Sequence, residues 1–206
     1  MKPVRRVGLF GGTFDPIHMG HVEIVQAALS NTLYDLDKLI VMPCKLSPHK
    51  RDGQGPTEGR HRLQMIGIAL REVKAVEISD YELSKESVSY TWQTIHWLQD
   101  QYPAAELVLV IGYDQYRVLD QWARFEELKD KIQCLVFSRH GQTKELSVER
   151  YTGLNLIFAE EQVVGISASE IRKYLRMGIE DDILAAELIH PKVIDYIQAQ
   201  GLYSPH

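Results

Sequence analysis

Paired glycines set between an apolar strand-like run and an amphipathic helix constrain this chain more than any other feature. Val7-Gly8-Leu9-Phe10 is short and apolar, and Gly11-Gly12-Thr13-Phe14-Asp15-Pro16-Ile17-His18-Met19-Gly20-His21 follows it directly. Val22-Glu23-Ile24-Val25-Gln26-Ala27-Ala28-Leu29 then carries the apolar spacing of a helix face. A strand-to-helix turn of this kind leaves backbone N–H groups free, and the helix adds the positive end of its dipole, so the place favours a phosphate. His18 and His21 are three apart, which puts both imidazoles on one side of an opening helical turn if the helix begins near Met19. Both can then face one anion. Taken alone, the pair also fits a helix start without a chemical role, or two metal ligands; no third ligand of matching spacing lies nearby, which counts against zinc. Asp15 before Pro16 reads as a turn former rather than a base.

The rest of the chain repeats the strand–helix alternation. Lys38-Leu39-Ile40-Val41-Met42-Pro43 reads as a buried parallel strand that stops at proline, and Cys44 to Gly59 as a loop carrying Lys45, His49, Lys50 and Arg51. Gly53-Gln54-Gly55-Pro56-Thr57-Glu58-Gly59 has the wrong last spacing for a dinucleotide fingerprint and follows no strand. A helix over Glu58 to Arg71, capped by Thr57 and with Leu63, Ile66 and Leu70 at helical spacing, is followed by a strand over Val73 to Ile78. Ser89 or Tyr90 opens a helix to about Gln101, with Trp92, Ile95, Trp97 and Leu98 on its apolar side. Glu106-Leu107-Val108-Leu109-Val110-Ile111 is the strongest strand and runs into Gly112-Tyr113-Asp114. Beyond it the pattern predicts helix over Trp122 to Asp130, strands over Ile132–Phe137 and Asn155–Ala159, and a helix from Ile166, capped by Ser167 or Ser169 and ending at Gly178. Two short helices separated by Pro191 complete the reading. Such alternation predicts an α/β, doubly wound, Rossmann-like parallel sheet with helices on both faces, a core over about residues 1–160 and a small C-terminal helical extension over about 165–206, all in one domain.

The totals narrow the function classes. At 206 residues the chain can bury a real core as one domain. A formal charge of −5 excludes a protein that coats nucleic acid, so any anion site is local. Cys44 and Cys134 stand far apart in no metal-ligand spacing, which predicts neither a disulfide framework nor a protein-held metal and fits a reducing compartment. No apolar run reaches membrane-spanning length, and the basic start Met1-Lys2-Pro3-Val4-Arg5-Arg6 leads into an apolar run broken at once by Gly11-Gly12, unlike a secretory signal. A cytoplasmic protein without membrane partners is expected; a homo-oligomer is compatible with the composition.

The motif G-G-T-F-D-P-x-H-x-G-H at Gly11–His21 resembles the phosphate-binding element of the nucleotidyltransferase superfamily that shares H-x-G-H, and Ile166-Ser167-Ala168-Ser169-Glu170-Ile171-Arg172 resembles its I-S-x-x-x-[IV]-R element. Between them Pro48-His49-Lys50, Ser89-Tyr90-Thr91, Ile111-Gly112-Tyr113-Asp114 and Trp122 are similar, in the same order, to elements of bacterial nicotinate-nucleotide adenylyltransferases. That resemblance implies transfer of the adenylyl group of ATP to the phosphate of nicotinate mononucleotide, giving deamido-NAD and pyrophosphate. It implies that His18 and His21 contact the ATP phosphates and that Gly11, Gly12, Thr13 and Phe14 belong to the ATP cradle. Arg172 and the Ser167 hydroxyl would take the β- and γ-phosphates, with Mg²⁺ accompanying the ATP. Gly112 would permit close approach and Asp114 would accept a hydrogen bond from the ATP ribose. Thr91 and Trp122 would form the nicotinate pocket, and Lys50 would hold the mononucleotide phosphate; His49 and Arg139 receive no defined role.

Departures from the family pattern fall in the acceptor pocket: Val88 stands where proline commonly precedes S-Y-T, Ala123 where a second aromatic is common, and His140 in a turn that often reads R-P-G. Other readings of the same residues are an adenylyl- or cytidylyltransferase with a nicotinamide mononucleotide or phosphopantetheine acceptor, and a non-catalytic adenine-nucleotide sensor.

Overall fold

The computed structural model describes residues 4–45, 56–85, 88–140, 151–179 and 187–204. Six strands, β1 (Arg6–Gly12), β2 (Lys38–Pro43), β3 (Val76–Ile78), β4 (Glu106–Gly112), β5 (Gln133–Arg139) and β6 (Asn155–Val163), form one sheet in the order β3-β2-β1-β4-β5-β6. Every neighbouring pair is parallel. The helices between them are α1 (Met19–Ser30), α2 (Gly59–Ala69), α3 (Thr91–Gln101), α4 (Tyr113–Tyr116), α5 (Phe125–Leu128), α6 (Ala168–Arg176) and α7 (Pro191–Ala199), with a 3₁₀ turn at Leu119–Gln121.

The strands are apolar throughout because both faces of the sheet are covered. Leu39, Ile40, Val41 and Met42 are all fully buried. Alternate residues point to opposite layers: Val41, Val108, Val110 and Leu135 pack with Val25 of α1, Met65 and Ile66 of α2, Ile171 of α6 and Val193 and Ile194 of α7. Ile40, Met42, Leu109, Ile111 and Val136 pack with Ile95 and Leu98 of α3 and with Leu119, Phe125 and Leu128. The C-terminal helices therefore share the core of the α1 face.

Several boundaries differ from the sequence expectation, each for a local reason. Glu58, not Thr57, is the N-cap of α2, and the Thr57 amide instead donates to Asp15 Oδ2 at 3.4 Å. The strand expected over Val73–Ile78 shortens to Val76–Ile78, with Ala75 just before it in the left-handed region at φ 62°. The helix expected over 122–130 is confined to Phe125–Leu128, because Trp122 is extended and Arg124 takes φ 57°. β6 runs on past Ala159 to Val163 through an irregularity opposite Val136 and Ser138. Ser167 caps α6 as expected, and Gly178 at φ 68° provides the left-handed residue that follows the helix. Of the two C-terminal helices, α7 begins at Pro191; the segment expected to hold the other, 180–186, lies outside the described residues. Among the described residues no helix is long and apolar enough to cross a membrane.

Candidate active site

β1 and β4 are neighbours where the strand order reverses, and their ladder ends at Leu9–Leu109 although the strands run on to Gly12 and Gly112. The splayed carboxyl ends open a crevice at the topological switch point, the usual ligand position in such sheets. It is a cavity of about 660 Å³, within the range of small-molecule sites. Gly11, Gly12, Thr13, Phe14, His18, His21, Thr91, Gly112, Asp114, Trp122 and Ser167 all line it. Among the described candidates only Arg172 is absent from its wall; Lys50 and His49 lie outside the described residues.

The wall formed by the Gly11–Phe14 turn is built by close packing. Phe14 is 1% exposed at φ 49°, and its ring lies so near Gly12 that a Cβ there would stand 2.9 Å from Phe14 Cζ. Gly12 is thus required by the turn itself. At Gly20 a Cβ would meet the Val164 carbonyl at 2.9 Å, so the bare backbone lets the start of α1 rest on the segment leading to Ser167. This contact brings together the two motifs from opposite ends of the sequence.

His18 is the N-cap of α1 and is buried. Its backbone N–H donates to His21 Nδ1 at 3.3 Å, and the two rings lie 3.7 Å apart, tilted by 32°. An Nδ1 that accepts cannot carry the proton, so neutral His21 holds its hydrogen on Nε2 and is a donor there. The Phe14 ring stands edge-on to His21, with centroids 4.9 Å apart.

Behind the loop lies a buried polar cluster that sequence reasoning missed. Arg62 is 1% exposed, and its guanidinium donates to the carbonyls of Thr13 (2.8 Å), Cys44 (2.7 Å) and Thr57 (2.7 Å). Burial pushes its pKa down from the usual arginine value, opposed by Cys44, Asp15 and Tyr203. Arg172 donates from Nη1 to the Asp15 carbonyl at 2.7 Å and from Nη2 to Ser169 Oγ at 3.2 Å. The buried Asp15 carboxylate accepts the Tyr203 hydroxyl, and its other oxygen lies 3.9 Å from Arg172. The Asp15–Pro16 peptide is cis.

Ser167 closes a capping box: its hydroxyl donates to Glu170 Oε2 at 2.6 Å and accepts from the Glu170 amide at 3.2 Å. That hydroxyl, then the Ser167 amide, Arg139 and His18, hold the Glu170 carboxyl below its usual range against partial desolvation. The hydrogen expected to meet a phosphate is therefore engaged by Glu170 in this structure.

Three further segments line the cavity. Thr91 is the first residue of α3, where amide N–H groups face outward. Trp122 is held by its neighbours: Arg124 lies over the Trp92 ring of α3 at 4.2 Å, which ties the tryptophan segment to the helix that Thr91 opens. Gly112 caps α4, a Cβ there would meet nothing within 4 Å, and Asp114 pairs with Arg139 at 3.3 Å. Arg139, Cys44, Ser89 and Glu82 also line the cavity. The available signal for Arg62 was its place at i, i+3, i+4 with the buried Met65 and Ile66; for Glu82, in a turn without periodicity, there was none.

Among the described residues no group of three His, Cys, Asp or Glu side chains forms a metal cage. Both cysteines are free.

The cytidylyltransferase-like family matches residues 9–174. The chain is 33% identical over 204 residues to the "Probable nicotinate-nucleotide adenylyltransferase" of Carboxydothermus hydrogenoformans, covering 96% of this chain and 98% of that protein. It is 31% identical over 200 residues to the nicotinate-nucleotide adenylyltransferase of Bacillus subtilis, covering 97% and 99%. Among solved structures it is similar to the Plasmodium falciparum nicotinic acid mononucleotide adenylyltransferase complexed with APC, at 25% identity and a TM-score of 0.77 over 97% of both chains.

Proposed function

The chain belongs to the nicotinate-nucleotide adenylyltransferases within the cytidylyltransferase-like family, and on that premise we propose that it moves AMP from ATP onto nicotinate mononucleotide. A phosphate oxygen of the mononucleotide attacks the α-phosphorus of ATP, the bond from that phosphorus to the bridging oxygen breaks, and pyrophosphate leaves with deamido-NAD as the other product. Nucleophile and leaving group are already anionic. The protein therefore needs neither a covalent intermediate nor a strong base, only in-line positioning and stabilisation of charge.

The observation that carries this reading is one cavity at the switch point, lined together by the glycine loop, both histidines, Thr91 and Trp122. Amides of Gly11–Phe14 and the start of α1 cradle the triphosphate. His21, a donor at Nε2, and His18 beside it stabilise charge developing on the transferred phosphoryl group. Arg172 anchors the loop through Asp15 and extends its remaining N–H donors toward the β- and γ-phosphates once the nucleotide enters, where the Ser167 hydroxyl turns from Glu170 to join it. Asp114 receives the ATP ribose, and Thr91 and Trp122 receive the nicotinate ring. Lys50 is assigned the mononucleotide phosphate from sequence alone.

Mg²⁺ prefers phosphate oxygens and water to an all-protein cage, so it would arrive with ATP and be held by the triphosphate. When bound it neutralises charge on the leaving pyrophosphate. Two free cysteines, one fully buried, fit a reducing compartment such as the cytoplasm.

The deciding experiment incubates the purified protein with ATP, Mg²⁺ and, separately, nicotinate mononucleotide, nicotinamide mononucleotide and phosphopantetheine, and measures pyrophosphate. Fastest release is expected with nicotinate mononucleotide. Release with none of the three would overturn the enzymatic reading.

A further inference from the structure

The acceptor end of the cavity contains a buried carboxylate that the reaction as described does not use. Glu82 lies between β3 and α3, is 7% exposed and lines the cavity with Ser89, Thr91 and Trp122. Its Oε1 accepts from the Thr94 hydroxyl at 2.6 Å, and Thr94 is fully buried. That partner is neutral, and no lysine, arginine or histidine among the described residues forms an ion pair or hydrogen bond with Glu82. Lys45 and Lys85 are engaged elsewhere: Lys45 Nζ donates to the Lys85 carbonyl, and Lys85 lies over the Tyr81 ring and beside Gln93.

Two further buried polar atoms on residues that line the same cavity have no partner among the described residues. They are Ser89 Oγ, on a residue 6% exposed, and Trp122 Nε1. A buried carboxylate with a neutral partner, beside a hydroxyl and an indole N–H that lack partners among the described residues, is complementary to a ligand carrying both a positive charge and hydrogen-bond acceptors. A pyridinium carboxylate is such a ligand: the ring nitrogen is permanently cationic and the substituent is an acceptor.

We propose that Glu82 is the counter-charge for the pyridinium ring of the acceptor, a specificity residue that favours the oxidised, cationic ring over its uncharged dihydropyridine form. The inference rests on the mononucleotide reading above. Thr94, which orients Glu82, lies one helical turn from Thr91, so the same helix presents its positive amino end to the ring carboxylate and the Glu82 charge further along to the ring nitrogen. Stacking on Trp122 supplies the ring's face with π density, but an aromatic face alone does not balance a cation withdrawn from water. Glu82 does so at the ring edge.

The test compares nicotinate mononucleotide with its 1,4-dihydropyridine form as acceptors, for the wild type and Glu82→Gln. Glutamine keeps an acceptor for the Thr94 hydroxyl and removes only the charge. Wild type is expected to favour the pyridinium form in KM; Glu82→Gln should raise KM for that form by about tenfold, leave KM for the reduced form unchanged or lower, and change kcat little. An equal rise for both forms would show a merely structural role and overturn the proposal, as would no rise for either. If Glu82→Gln does not fold, the wild-type comparison still decides: equal KM for charged and uncharged rings overturns it. Failure of the wild type to use nicotinate mononucleotide at all would overturn the functional reading and this proposal with it, whereas turnover with parallel KM shifts would overturn this proposal alone.

Discussion

The Arg62 guanidinium donates to the Thr13 carbonyl at 2.8 Å from a position 1% exposed to solvent, so a helix arginine supports the Gly11–Phe14 turn from behind. The same group holds Cys44 at the end of β2 and Thr57 ahead of α2. Arg62→Met removes the guanidinium donor that the carbonyls of Thr13, Cys44 and Thr57 share. With a hydrogen bond to a charged group contributing roughly 1.5–3 kcal/mol, urea unfolding should show a loss of at least about 3 kcal/mol. Arg62→Lys, which keeps the charge but loses the planar fork, should fall between. A loss for Arg62→Met below about 1 kcal/mol would mean that the tie contributes little.

Replacement of either histidine tests the charge-stabilising role. His18→Ala and His21→Ala should each lower kcat by about 100-fold or more while moving KM for nicotinate mononucleotide little, because the interaction is made chiefly in the transition state. His21→Ala should also lower the melting temperature slightly, since its Nδ1 accepts the His18 amide at the start of α1. Steady-state pyrophosphate release checks the first expectation, and unchanged turnover would remove the pair from the mechanism.

The sheet and the loop wall were legible in the sequence because both are local. Period and composition mark Leu39–Met42 and Leu107–Ile111 as buried strands, and the spacing of His18 and His21 puts them on one turn wherever α1 begins at Met19. What was not legible depends on contacts between distant segments. Arg62 drew no assignment from the sequence, because its role appears only where the carbonyls of Thr13, Cys44 and Thr57 converge on it. Arg172 reads as a phosphate ligand, yet in the structure it first holds the Asp15 carbonyl, and Tyr203, near the end of the chain, meets the other side of the same residue. Trp122 to Asp130 has helical composition, but the left-handed Arg124 that stacks on Trp92 interrupts it.

The two cysteines should behave oppositely. Cys44 is half-buried on the cavity wall, so ATP should slow its reaction with an aromatic disulfide reagent. Cys134 is fully buried, and burial pushes its thiol up to about 12, so it should react only on unfolding. A folded-state pKa above the unfolded value of 9.0 gives stability that is fully present below about pH 9 and lost as pH rises toward 12. In that window the group's contribution falls by about 1.4 kcal/mol per pH unit. The melting temperature of the wild type should therefore fall more steeply above about pH 9 than that of Cys134→Ala, which starts lower because of the void it leaves. Parallel slopes would contradict the linkage.

Tyr203 lets the segment after α7 support the turn that holds Asp15. Its hydroxyl donates to Asp15 Oδ1, while the Thr57 amide reaches Oδ2 and Arg172 grips the Asp15 backbone. Asp15 is 5% exposed, so loss of one donor leaves a carboxylate short of hydrogen bonds where water cannot readily replace them. Tyr203→Phe should accordingly cost about 1.5–3 kcal/mol in urea unfolding, the range for a bond to a charged group. Burial, with Asp15 beside it, raises the Tyr203 pKa above the ordinary 10.0, so the phenol stays a donor and the difference from wild type should persist up to about pH 10. Ending the chain at Leu202 should remove the same hydrogen bond and the packing of the ring as well, and so cost more than Tyr203→Phe. If the truncated chain were as stable as the wild type, the C-terminal contact would be incidental; if Tyr203→Phe alone matched the wild type, the ring and not the hydroxyl would be the part that holds the loop.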